Sequence, residues 1–147
     1  MANILVIHGP NMDALGTREP EVYGSQTLDE INGLIKSEAE SLGCSVEIVQ
    51  SNHEGAIVDA IAGARDSADV IVINPAAFTH TSVAILDALK AANVPTVEVH
   101  MSNIYAREPL RQKLVTTAAV TGQICGFGAM SYVLAVHAAA RLAEVES

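Results

Sequence analysis

A chain of 147 residues has room for one ordinary globular domain with a sizeable core, since half its residues are apolar and only 17% are charged. A net charge of −9, the absence of tryptophan and an aromatic content of 3% exclude a phosphate-tracking, base-stacking nucleic-acid surface and argue against binding to an anionic membrane. Two cysteines give no disulfide framework, and no apolar run approaches the ~20 residues that span a bilayer.

The N-terminus enters a strand at once, with no basic segment or cleavage site before it, so a cytoplasmic protein is expected. Ile4 to Ile7 is an aliphatic run that stops at His8-Gly9-Pro10-Asn11. Residues 10–26 are too long and polar for a minimal connection, and Gly16 and Gly24 near the ends make the segment a candidate lid. Thr27-Leu28-Asp29-Glu30 has the form of a capping box, with Leu28, Ile31, Leu34, Ile35 and Leu42 at helical spacing and Gly43 as the stop. A second strand is predicted from Val46 to Val49. Ser51-Asn52-His53-Glu54 then reads as another capping box before Ile57, Val58 and Ile61. Val70 to Ile73 is the third strand, followed by a helix from Thr81 or Ser82 that ends at Asn93 before Pro95. Thr96 to Val99 and Val120 to Cys125 are the fourth and fifth strands, and the last helix runs from about Met130 to Ala143. Near-continuous aliphatic strands suit a parallel sheet buried on both faces. The reading is one domain over residues 1–147, an α/β three-layer sandwich of flavodoxin-like order around a five-stranded parallel sheet.

In open α/β sheets ligands bind beyond the carboxyl ends of the strands. Those ends carry Asn11, Asn52, His53, Asn74, Glu98 and four histidines in all: His8, His53, His80 and His100. Their convergence on one edge points to a polar site. Arg107, Arg111 and Lys113 cluster in an otherwise acidic chain, which fits a small anionic or hydroxylated ligand as well as a solvated basic face. No tight His or carboxylate cluster predicts a metal, no phosphate loop or complete dinucleotide fingerprint occurs, and no Gly-x-Ser-x-Gly turn offers a nucleophile. Lys36 and Lys90 sit on polar helix positions, so a Schiff base is not expected. Acid–base chemistry by His, Tyr and Arg remains. Glu98 and His100, two apart on a strand, project to the same side, where the carboxylate can orient the imidazole. A tyrosine ordinarily ionises near pH ~10, so Tyr23 in the lid can serve as a base at neutral pH only if its phenolate is stabilised by roughly 4 kcal/mol. Arg18 is the only nearby cation in the loop able to contribute.

Ordered along the chain are Gly9-Pro10-Asn11, Leu15-Gly16-Thr17-Arg18-Glu19-Pro20, Val22-Tyr23-Gly24, Gln50-Ser51-Asn52-His53-Glu54-Gly55, Ile73-Asn74-Pro75, Thr79-His80-Thr81-Ser82, Val97-Glu98-Val99-His100 and Ala106-Arg107-Glu108-Pro109. The series resembles the type II 3-dehydroquinate dehydratases over nearly the whole chain. The resemblance implies a cofactor-free, metal-free hydro-lyase that converts 3-dehydroquinate to 3-dehydroshikimate by anti elimination through an enolate, in the shikimate pathway of aromatic amino-acid biosynthesis or in quinate catabolism. It also implies a flavodoxin-like subunit in a homododecamer built as a tetramer of trimers. By the same resemblance Tyr23 is the base, Arg18 promotes its ionised form and Asn11 helps stabilise the enolate through a water. His100 is the general acid, oriented by Glu98. Asn74 and the backbone at Met101 and Ser102 hold the carboxylate, His80 and Arg111 bind ring hydroxyls, and Asp87 reaches a neighbouring subunit's site.

Three departures stand out. His8 replaces a common Asn, Met12-Asp13 replaces Leu-Asn, and residues 112–117 lack the usual His and Ser-Tyr. They bear on the packing behind Asn11, the contacts beside Arg111 and the subunit interface. The substitutions at His8 and Asp13 also support the alternative reading, a catalytically inactive relative acting as a ligand-binding or assembly module. A phospho-receiver domain is rejected, because His8 and Asn74 stand where such a domain needs acids.

Overall fold

The five aliphatic runs form the strands of one sheet: β1 (Asn3–His8), β2 (Ser45–Gln50), β3 (Val70–Asn74), β4 (Thr96–His100) and β5 (Gly122–Cys125). The computed structural model describes residues 1–17 and 19–146, and in it all pairings are parallel, in the order β2-β1-β3-β4-β5. This is the flavodoxin order that the strand–helix alternation predicts. The helices are α1 (Pro20–Tyr23), α2 (Leu28–Ser41), α3 (Glu54–Ser67), α4 (Val83–Ala92), α5 (Pro109–Gln112) and α6 (Met130–Glu146).

Alternation along each strand divides the core into two halves. Ile4 and Val6 of β1, Val70 and Val72 of β3, and Val97 and Val99 of β4 pack against Ile31 and Ile35 of α2 and Tyr132, Ala135 and Val136 of α6. Leu5, Ile7, Ile71 and Ile73 face the other way, onto Ile57 and Ile61 of α3 and Ile85 and Leu89 of α4. The isoleucines in these clusters are at most 2% exposed, and each contributes about 1.5–3 kcal/mol of burial free energy.

Most predicted boundaries hold for local reasons. The Glu30 N–H donates to the Thr27 hydroxyl at the start of α2, and Gly43 takes φ 71° just after its end. The Ser82 hydroxyl accepts the Ile85 N–H ahead of α4, and Asn93 closes that helix in the left-handed region, two residues before Pro95. Three expectations change. Ser51 does not cap a helix, because its hydroxyl accepts the His53 N–H in a tight local turn and α3 begins only at Glu54. The fifth strand starts at Gly122 rather than Val120, since β5 is an edge strand paired with β4 only from Gly122 onward. Segment 10–26 is not a bare loop: it contains a 3-10 turn at Met12–Ala14, pinned by buried Met12 and Leu15, as well as α1.

Candidate active site

After β1 the chain builds β2 on one side and β3 on the other, so the strand order reverses between β1 and β3. The crevice beyond that point is where an open α/β sheet binds its ligand. A cleft of about 510 Å³, counted out to its open mouth, occupies it. Pro10, Asn11 and Met12 line it from the β1 end, Asn74, Ala76, Ala77 and His80 from the β3 end, and His100, Met101, Ser102 and Ile104 from the β4 end. Tyr23 of α1, Arg107 and Arg111 complete the wall.

The sheet's alternation brings polar groups into this cleft from both layers. Glu98 and His100 lie on the α3/α4 side of β4, opposite in sense to Val97 and Val99. His100 Nε2 stands 2.9 Å from Glu98 Oε2, with His100 5% and Glu98 0% exposed. A carboxylate can only accept, so the Nε2 proton points inward and Nδ1 is left to meet a ligand. The Thr116 hydroxyl donates to Glu98 Oε1 at 2.7 Å and that of Thr117 to Oε2 at 2.5 Å. Burial pushes the Glu98 carboxyl up. The hydrogen bonds from His100, Thr117 and Thr116, with the His100 charge, outweigh it and hold the group below the usual carboxylate range.

Tyr23 meets a cation that local sequence does not place beside it. Arg107 donates from Nη1 to the Tyr23 hydroxyl at 2.9 Å, and its guanidinium carbon lies 5.4 Å from the ring centroid. The expectation that Arg18 is the only cation near Tyr23 is therefore corrected: Arg107, 84 residues away in sequence, occupies that place, while Arg18 lies outside the described residues. The signal was the Ala106-Arg107-Glu108-Pro109 motif and the local cation cluster, which carried no pointer to the lid. Arg111 lines the same wall, its Nε 2.7 Å from Glu108 Oε1 but with the N–H directed off that line.

Backbone constraints shape the floor. A Cβ on Gly9 would stand 2.6 Å from the Pro75 carbonyl oxygen, so only glycine lets the turn after β1 pass the turn after β3. Asn11 follows at φ 67°, its N–H donating to Asn52 Oδ1 at 2.9 Å. Asn74 Oδ1 accepts the Ala76 N–H at 3.0 Å, and its Nδ2 donates to the Tyr132 hydroxyl at 2.9 Å. His80 Nδ1 lies 2.8 Å from the Lys113 carbonyl, which can only accept, so Nε2 is the nitrogen available to a ligand.

Of the residues singled out from sequence, Asn11, Tyr23, Asn74, His80, His100, Met101, Ser102 and Arg111 all line this one cleft, with Glu98 directly behind His100. Asp87 is exposed on α4, outside the cleft. The expected convergence of four histidines is corrected to two. His8 ends β1 on the α2/α6 side and is fully buried between Asn32 and Tyr132, while His53 is exposed at the start of α3. Among the described residues, no group of three His, Cys, Asp or Glu side chains is placed to hold a metal ion, and no helix is long and apolar enough to cross a membrane.

The sequence matches the family model described as dehydroquinase class II over residues 2–140. The chain belongs to that family. A 3-dehydroquinate dehydratase of Phenylobacterium zucineum is 56% identical over 141 residues, covering 96% of this chain and 97% of the relative. A catabolic 3-dehydroquinase of Aspergillus clavatus is also 56% identical, over 92% of this chain and 90% of its own. The crystal structure of the type II dehydroquinase from Propionibacterium acnes superposes with a TM-score of 0.92 at 42% identity, covering 96% of this chain and 97% of that one. Class II dehydroquinases thus share both the sequence and the sheet order described above.

Proposed function

We propose that this chain is a hydro-lyase that dehydrates 3-dehydroquinate to 3-dehydroshikimate by anti elimination through an enolate. The observation that carries this reading is the pairing within one cleft of a tyrosine held by a guanidinium with a histidine held by a carboxylate. These are a base and an acid of the kinds that such an elimination needs.

In this mechanism the Tyr23 phenolate takes the proton on the carbon next to the ketone, and the electron pair passes into the carbonyl to give the enolate. Arg107, with Arg18 in the role the family resemblance implies, favours the phenolate by placing positive charge at its oxygen. Asn11 helps hold the enolate oxygen through a water. His100 then delivers the proton on Nδ1 to the departing hydroxyl, which leaves as water while the enolate collapses to the conjugated enone. Tyr23 ends protonated and His100 neutral, and solvent returns the proton between them. Glu98 fixes the imidazole and stabilises its charged form. Asn74 and the Met101–Ser102 backbone receive the carboxylate, and His80 and Arg111 the ring hydroxyls. No step requires a metal or an organic cofactor.

We read the chain as one catalytic domain of a cytoplasmic homododecamer, with Asp87 completing a neighbour's site. The family resemblance supports this, as does an outer surface carrying exposed Val83, Leu110, Phe127 and Met130. Shikimate-pathway and quinate-catabolic enzymes run the same chemistry, so the mechanism serves either. The test is ultraviolet absorbance on adding 3-dehydroquinate to purified protein with a chelator present. A steady rise marks the enone product, and a flat trace from folded protein would refute the activity. Borohydride added with substrate should leave the enzyme active, and a covalent adduct would contradict the enolate route.

A further inference from the structure

Four buried or half-buried polar side chains form a continuous line from α2 to the cleft, and one backbone group fixes every proton in it. The Ala76 N–H can only donate, so the Asn74 atom facing it at 3.0 Å is Oδ1. Asn74 Nδ2 therefore faces the Tyr132 hydroxyl at 2.9 Å as a donor. With its oxygen accepting there, Tyr132 sends its own proton to His8 Nδ1 at 3.1 Å. The His8 proton is then on Nε2, 2.8 Å from Asn32 Oδ1, which accepts it. His8 and Asn74 are register partners on adjacent strands and lie on the same face of the sheet, so the line is short and rigid. Tyr132 is 0% exposed and meets the His8 ring edge-on at a centroid distance of 5.3 Å, which leaves its hydroxyl little freedom to turn elsewhere.

We propose that His8 is a positioning residue for substrate binding: by accepting the Tyr132 proton, it keeps the Tyr132 oxygen an acceptor and so holds Asn74 Nδ2 toward the cleft. The second Nδ2 hydrogen of Asn74 is held only by the Met12 sulfur at 3.6 Å, a weak acceptor, and is the one an incoming carboxylate takes. A residue unable to accept at position 8 leaves the Tyr132 proton to turn toward Asn74 Nδ2, which the Ala76 N–H keeps facing that hydroxyl, so two donors oppose each other and the amide is pushed off its place beside the cleft. Burial keeps His8 neutral by lowering its pKa to about 4, so its lone pair persists at ordinary pH. This rests on the assignment of Asn74 to the substrate carboxylate.

The test compares His8→Leu with His8→Asn by 3-dehydroquinate turnover, with melting followed in parallel. An asparagine Oδ1 stands where His8 Nδ1 stands, so His8→Asn keeps the acceptor while losing the link to Asn32. His8→Leu should raise KM about tenfold with kcat nearly unchanged, the pattern of a lost ground-state binding contact, and His8→Asn should keep KM within about twofold of the parent. A folded His8→Leu with parental KM, or an Asn variant as impaired as the Leu variant, overturns the proposal. Should His8→Leu fail to fold, Tyr132→Phe carries the test. It should raise KM by a similar factor, and adding His8→Asn to it should change nothing further. An additive effect of the second substitution overturns the proposal. Absence of turnover in the parent protein would instead remove the functional reading itself.

Discussion

At the scale of single residues, the site depends on donors that can only donate and acceptors that can only accept. The Arg107 guanidinium at the Tyr23 hydroxyl is a charge-assisted contact, a class of bond worth about 1.5–3 kcal/mol. Arg107→Ala should therefore lower kcat by roughly 10- to 100-fold with little effect on melting, and steady-state kinetics beside a thermal scan measure both. Unchanged kcat would remove Arg107 from the catalytic group. Glu98 receives three hydrogen bonds, so Glu98→Gln keeps the shape, removes the charge that stabilises an imidazolium and turns one acceptor into a donor. Its kcat should fall by about one to two orders of magnitude with KM close to the parent. A Gln variant with parental kcat would mean that the carboxylate is not needed to charge His100.

At the scale of elements, the strands were legible because buried parallel strands must be aliphatic throughout, and their ends mark the functional edge. The face on which each end residue lands was not read from that pattern. His8 and His100 both finish strands, yet His8 lies on the α2/α6 side within the core and His100 reaches the cleft. Residue type at a strand end reveals the edge, while alternation counted from the core residues is needed to find the layer. Arg107 escaped for another reason: its partner is 84 residues distant, and spacing rules describe neighbours. The Ser51 capping box failed because a serine hydroxyl two residues from an N–H closes a local turn before a helix can use it. The close passage of the turns after β1 and β3 gives an element-scale prediction. Gly9→Ala forces a methyl against the Pro75 carbonyl, at a cost of about 1–3 kcal/mol. Melting should drop by several degrees and KM should rise as Asn74 shifts. A variant that melts and binds like the parent would show that the two turns can separate freely.

At the scale of the molecule, buried His8 and Glu98 give stability a pH dependence of one sign on the acid side. In the unfolded chain His8 takes a proton near its ordinary value of 6.5, while the folded chain refuses it until about 4. Stability is therefore full above about pH 6.5 and falls as pH drops through that window, by about 3 kcal/mol in all. Glu98 acts lower and in the same direction, since its depressed carboxyl stabilises the fold above its unfolded value of 4.5 and loses that contribution as the native group protonates. Denaturant midpoints at pH 7, 5.5 and 4.5 should decline steadily, and His8→Asn should flatten the upper part of the series. Midpoints constant from pH 7 to 5 would contradict a buried neutral His8.

The proposed chemistry assigns the proton abstraction to Tyr23. The decisive measurement is the rate of enone absorbance with Tyr23→Phe, beside the variant's affinity for 3-dehydroquinate by calorimetry. Turnover reduced by orders of magnitude, with binding and fold retained, is the outcome expected of a base whose oxygen is held by Arg107. Near-parental turnover in a folded Phe variant would contradict it and require another group to take the proton.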